Sequence, residues 1–153
     1  MSSNRRYRRI AQYKEPETLR ARFAELGFVL PCDDEIQTAA AGSPLAAPIE
    51  IGGFTVGNRW CIHPMEGWDA NSDGSPTENT LRRWRNFGLS GAKLIWGGEA
   101  AAVQKDGRAN PNQTLAIDEN EAGIKALLDE LLAAHQQKFG STEDLLVGLQ
   151  LTH

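Results

Sequence analysis

From residue 58 to its end the chain alternates short apolar runs with amphipathic stretches, and no other feature constrains the fold as strongly. "NRWCIH" (58–63) reads as a strand. "SPTENTLRRWRNFG" (75–88) reads as a helix, with Ser75 at the N-cap, Pro76 in the first turn, Glu78 closing a capping box and Gly88 at the end. "AKLIW" (92–96) is a second strand. "DENEAGIKALLDELLAAHQQKFG" (118–140) is a second helix, capped by Asp118 with Glu121 three residues on, and stopped by Gly140. Its residues Ile124, Leu127, Leu128, Leu131, Leu132 and Phe139 follow helical spacing. "DLLVGLQL" (144–151) is a third strand, almost continuously apolar, as a strand buried on both faces would be. Strands that alternate with helices pair in parallel through right-handed crossovers.

Upstream, "PETLRARFAEL" (16–26) predicts a short helix with Pro16 in its first turn, Leu19, Phe23 and Leu26 on one stripe, and Gly27 as its stop. Residues 31–48 are rich in proline, glycine, serine and alanine and read as a linker or lid. "PIEIGGFTVGNRW" (48–60) reads as a β-hairpin turning at Gly52-Gly53. The expected organisation is an N-terminal helix and linker over 1–43 and a βα-repeating portion over 44–153.

The 153 residues suffice for one domain with a real core. A net charge of −4 argues against non-specific nucleic-acid binding. The arginine-rich "NRRYRR" (4–9) reads as a solvated terminus. Two cysteines, Cys32 and Cys61, without a Cys-x-x-Cys pair, fit a reducing compartment. Apolar runs stay far below the roughly 20 residues of a membrane helix. The expectation is a cytoplasmic protein without nucleic-acid or membrane partners.

Ligands of open parallel sheets and barrels sit beyond the carboxyl ends of the strands. The unusual residues gather there: "HPMEGWDANSDG" after strand one, the long "GGEAAAVQKDGRANPNQTLAI" after strand two, and "LQLTH" at strand three. An amide at Gln150, on the face of Leu146 and Gly148, needs a partner on a buried strand. Glu66 beside Trp68 reads either as a solvated loop carboxylate or as a carboxylate perturbed by an aromatic neighbour. Glu66, Asp69 and Asp73 lack the closing glutamate of a calcium loop. Cys61 and His63 share a strand face but need two further zinc ligands, and the only other histidines are His135 and His153. His135 reads as a helix-face residue near a C-terminus. No metal is assigned. "GGEAAAV" lacks the G-x-G-x-x-G spacing of a dinucleotide fingerprint. In "LRRWRNFG", Leu81 and Trp84 read as core contacts.

Taken together, "GNRWCIHPMEGW", "SGAKLIWGGEAAAVQKDGRANPNQ" and "VGLQLTH" resemble, in order, the first three strands and strand ends of the old yellow enzyme family of flavin-dependent oxidoreductases. The resemblance runs from about residue 44 to the last, and "PMEGWD" with "GGEA" is similar to a branch apart from the familiar ene-reductases. It implies a (β/α)8 barrel of roughly 250 residues, of which this chain would be an N-terminal fragment of about three βα units, preceded by a short helix and a β-hairpin. It implies FMN as cofactor and NAD(P)H as reductant, with hydride passed to an electron-poor small molecule such as an α,β-unsaturated carbonyl. By resemblance, His63, Pro64, Met65 and Glu66 lie along the flavin, Ala100 (or Gly98, given the extra glycine) lies near its ring, and Gln150 bonds its pyrimidine edge. Trp68 falls at a substrate-facing aromatic position. Glu66 departs from the family, whose familiar members carry threonine or cysteine there, and is expected to shift the flavin potential or meet the substrate. The family's histidine pair, proton-donating tyrosine and phosphate-binding arginines would lie downstream, as would any added iron–sulfur cluster. The fragment alone is expected to be inactive. The oligomeric state and the acceptor stay open. The alternatives are a non-catalytic fragment or interaction domain, and a barrel enzyme without flavin.

Overall fold

The computed structural model describes residues 9–31 and 33–153, so Cys32 and all of the basic start except Arg9 lie outside the described residues. The chain divides into two units after Gln37. In the first, helix α1 runs Pro16–Glu25, with Pro16 in its first turn as expected. It ends in a Schellman arrangement: Gly27 takes φ +78°, its N–H bonds the Ala24 carbonyl, and the Phe28 N–H bonds the Phe23 carbonyl. No residue of α1 is fully buried, and Leu19 and Phe23 of its apolar stripe are only partly covered.

The second unit carries the alternation. Strands β1 (Ile49–Ile51) and β2 (Phe54–Val56) form the antiparallel hairpin expected, and Gly52 and Gly53, at φ +57° and +84°, make the tight turn that two positive φ values permit. Strands β3 (Cys61–Ile62), β4 (Leu94–Ala102) and β5 (Leu146–Thr152) form a parallel sheet in the order β3-β4-β5. Helix α2 (Glu78–Leu89) joins the first pair and α3 (Glu121–Phe139) the second.

Several expectations need correction. β3 is two residues long, not six, because the chain leaves the sheet at Pro64, whose ring removes a ladder donor. The N-cap of α2 is Thr77, not Ser75. The Ser75 hydroxyl is spent on Asp73 at 2.6 Å, whereas the Thr77 hydroxyl accepts from the Asn79 and Thr80 N–H groups. Thr80 reciprocates by accepting from the Thr77 N–H at 3.1 Å, taking the capping-box place read for Glu78. Residues Asp118–Asn120 form a 3₁₀ turn ahead of α3 rather than a capping box. β4 runs on through "GGEAAA", so the loop before α3 begins near Val103 and not at Gly97.

The core lies where α2 and α3 cover one face of the sheet: Trp84, Ile95, Leu127, Leu131 and Leu145 are buried together, with Ile62, Val147 and Leu149 packed against them. α2 and α3 meet at Gly88, where a Cβ would stand 2.3 Å from the Leu131 carbonyl oxygen, closer than any side chain allows. Among the described residues no helix covers the opposite face of the sheet, and Trp96 is 56% exposed on it. β5 is therefore not buried on both faces as its composition predicts: it forms one edge, and none of its residues is fully enclosed.

His135, read as a helix-face residue near a C-terminus, lies on the inward face of α3. It is fully buried, with Nδ1 2.9 Å from the Gly88 carbonyl and Nε2 3.0 Å from the Lys93 ammonium, which in turn pairs with Asp144 at 2.6 Å. The ammonium can only donate, so Nε2 accepts and Nδ1–H donates to Gly88. Burial, reinforced by the neighbouring Lys93 charge, holds the imidazole below its ordinary pKa.

Candidate active site

The site forms around an interruption in β4. The β4–β5 register shifts between Trp96 and Ala100, and Gly97 takes φ +58° in the gap. Only glycine fits there: a Cβ would sit 2.7 Å from the Gln150 backbone nitrogen and 3.0 Å from the Pro64 Cβ. Beyond the shift, Ala100 is the meeting point of three segments. Its N–H bonds the Met65 carbonyl at 3.1 Å on one side, and it pairs with Gln150 on the other.

Pro64, Met65, Glu66, Trp68, Ala100 and Gln150 line one open depression of about 440 Å³ at this end of the sheet. Six of the residues singled out in the sequence thus come together. The other two do not join them. His63 is exposed outside the depression, and Gly98 is buried, with a Cβ position 3.3 Å from the Phe87 ring. The register shift between Trp96 and Ala100 leaves Ala100 on the rim and Gly98 behind it.

The rim loop is anchored from below by residues that the motif reading left out. Glu99 has no exposed surface, and one carboxylate oxygen accepts from the Gly67 N–H at 2.9 Å. Its other oxygen pairs with the Arg83 guanidinium, which also holds both oxygens of Asp69, at 3.0 and 2.8 Å, and donates to the Gly98 carbonyl. Asn110 donates to the Gly67 carbonyl at 3.0 Å, and Thr80 to the Asp69 carbonyl at 3.0 Å. Ala70 is tied through both its N–H and its carbonyl to Asn112. Burial pushes the Glu99 carboxyl up, against the pull of Arg83, whereas Arg83 holds Asp69 below the usual carboxylate range. This engagement removes Asp69 from any cation site, and Asp73 is likewise occupied by Ser75.

A sequence cue for this clamp exists. Thr80, Trp84 and Phe87 mark the inward stripe of α2, and Arg83 falls on it; a guanidinium on such a stripe demands a carboxylate, and Glu99 is the one acid within β4. Gln113 adds a second tie. It is fully buried, donates to the Ala100 carbonyl at 2.7 Å and to Thr152, and accepts from the Ala109 N–H.

With its inward atoms held, the loop turns three side chains outward. Met65 is 73% and Trp68 71% exposed, and Glu66 is exposed with no partner among the described residues. The Gln150 side chain is likewise exposed and makes no hydrogen bond among the described residues. The depression therefore offers a small-residue floor at Ala100, an amide with one free acceptor and one free donor group, a thioether, an indole and a single carboxylate. A flat heteroaromatic with alternating donors and acceptors along one edge fits the floor and the amide. Among the described residues no group of three metal-ligating side chains gathers, and no helix is long and apolar enough to cross a membrane.

Solved structures share this fold. The old yellow enzyme of Pichia sp. AKU4542 superposes with a TM-score of 0.59 at 19% identity, over 74% of this chain and 27% of its own length. The old yellow enzyme homologue of Zymomonas mobilis superposes with a TM-score of 0.53 at 27% identity, over 71% and 28%. Morphinone reductase in complex with tetrahydroNAD superposes with a TM-score of 0.55 at 22% identity, over 73% and 28%. No family model and no curated protein matches the sequence. The resemblance to the old yellow enzymes read from three strand ends thus holds in the fold, and the chain spans little more than a quarter of the length of these structures.

Proposed function

We propose that this chain supplies one part of an FMN-dependent oxidoreductase of the old yellow type. The observation that carries the reading is the convergence of Pro64–Glu66, Ala100 and Gln150 on one rim at the carboxyl ends of parallel strands, in a fold shared with such reductases. Pro64, Met65 and the backbone at Glu66 would border the flavin, Ala100 would leave room for its ring, and the Gln150 amide would bond its pyrimidine edge. When bound, FMN supplies the redox chemistry, taking hydride from NAD(P)H and delivering it to an electron-poor acceptor such as an α,β-unsaturated carbonyl.

The chain's own contribution is positioning and field. The Glu99–Arg83 clamp holds the 65–68 loop still, as pre-organised sites require. The Glu66 carboxylate sets the sign of the local charge, and a negative group beside a flavin opposes added electrons and lowers its potential. The tetrahydroNAD complex of morphinone reductase makes a nicotinamide nucleotide the natural reductant to try. The test uses the whole native gene product: anaerobic NADH or NADPH should bleach its flavin absorbance, and an unsaturated carbonyl should restore it. A flavin indifferent to both nucleotides rules the reading out.

A further inference from the structure

Nothing so far says what class of molecule the outward side chains of the rim would take. Three observations bear on it. Glu66 is the only ionisable residue among the described residues lining the depression, and it has no ion-pair partner among them. By contrast, Asp69 and Glu99 are both paired, sharing the Arg83 guanidinium beneath the loop. Two residues on, Trp68 leaves 71% of its surface open on the same depression, although a large indole ordinarily gains from burial. The loop is no mobile tip free to turn these groups away. Gly67, between them, is fixed through its N–H by Glu99 and through its carbonyl by Asn110.

A carboxylate and an aromatic face held two residues apart, with no cation among the described residues that line the depression, form an arrangement that attracts a positively charged organic group. The carboxylate supplies Coulomb attraction and the indole a cation–π face. The same charge disfavours anions. We propose that the Glu66–Trp68 edge selects an organic cation with a flat or apolar body, a pyridinium or a substituted ammonium, as the molecule that meets this rim. The proposal rests on the reading of the depression as a substrate site, and it adds the charge class that the fold leaves open.

The experiment uses one ring in three charge states. The full chain is titrated with 1-methylnicotinamide, nicotinamide and nicotinate while the Trp68 indole N–H is followed by NMR, its signal identified by loss in Trp68→Phe. A second arm replaces the pyridinium with benzyltrimethylammonium, which separates a ring cation from an ammonium. The expected order of affinity is cation, neutral, anion. Glu66→Gln should weaken the cation about fivefold, the worth of one exposed charge pair at contact distance, and leave nicotinamide unchanged. Both side chains are exposed, so these variants keep the fold, and urea unfolding of each should match the parent.

Equal binding of the three rings overturns the proposal, as does a cation preference that survives Glu66→Gln, or an indole signal that no probe moves. Repeating the series on the native gene product with FMN added separates the two readings. If FMN does not bind while the cation preference stands, the flavin reading alone fails. If FMN binds and the preference is absent, the charge class alone fails.

Discussion

The Gly67 N–H donates to the Glu99 carboxylate at 2.9 Å, so a residue of the rim loop hangs on an acid that has no exposed surface. Removing that acid leaves both the Gly67 donor and part of the Arg83 charge without an acceptor. Glu99→Ala should cost about 3 kcal/mol, the lower end for breaking a buried pair, because Arg83 keeps Asp69 and a quarter of its surface stays in water (25% exposed). Glu99→Gln, which keeps an acceptor for Gly67, should cost less. Urea unfolding measures both, and equal losses would argue against the Gly67 contact as the anchor.

Gly97 and Gly148 lie on neighbouring strands yet make opposite demands. At Gly97 an added Cβ meets Gln150 at 2.7 Å in a left-handed backbone, whereas at Gly148 the nearest atoms stand at 3.8 Å, an ordinary contact. Gly97→Ala should destabilise by about 1–3 kcal/mol through overpacking and speed amide exchange at Gln150 and Leu151. Gly148→Ala should change neither by more than about 0.5 kcal/mol.

The contrast shows what the sequence could carry. The order of strands and helices was legible because α2 and α3 have start and stop residues and β5 has an apolar run. The hairpin was legible because Gly-Gly permits one turn type. What escaped depends on atoms far apart in the chain. β4 reads as ending at Trp96 because Gly97-Gly98 looks like a loop, yet the strand resumes once Ala100 finds Met65 and Gln150 on its two sides. Thr77 displaces Ser75 as cap because Asp73 competes for the serine. His135 reads only as a helix-face residue near a C-terminus until Lys93 and Gly88 arrive from other elements. The rim residues themselves were legible by type, but the clamp beneath them required pairing an arginine and a glutamate 16 positions apart.

His135 should make stability depend on pH. The groups facing it are Lys93 from β4's approach, the Gly88 carbonyl from α2, and Asp144 behind Lys93. Its folded pKa lies below its unfolded value of about 6.5, so above that pH the neutral ring is common to both states. Below it the unfolded chain binds the proton first, and stability falls until the folded pKa is passed. Urea midpoints between pH 7.5 and 5 should decline for the parent and stay flatter for His135→Gln. Parallel slopes would assign the decline to other groups.

Among the described residues no further strand pairs with the outer edges of β3 and β5, and Trp96 is 56% exposed on one face of the sheet. Exposed parallel edges recruit further strands. The 153-residue chain should self-associate with rising concentration, read by light scattering after size exclusion, and Trp96→Lys should shift it toward monomer. A parent that stays monomeric throughout would show that the edges are self-protecting.

The central claim is that Ala100 and Gln150 form a flavin seat. It is tested most directly by releasing and identifying the chromophore of the native gene product, for the parent and for Gln150→Leu. The account predicts FMN at one per chain in the parent, and at least tenfold weaker retention in Gln150→Leu with an unchanged fold, the loss of about 1.4 kcal/mol or more expected when one bonded amide is replaced by an apolar group. A native product that carries no flavin and does not take up FMN would contradict it, as would flavin held with equal strength in both proteins.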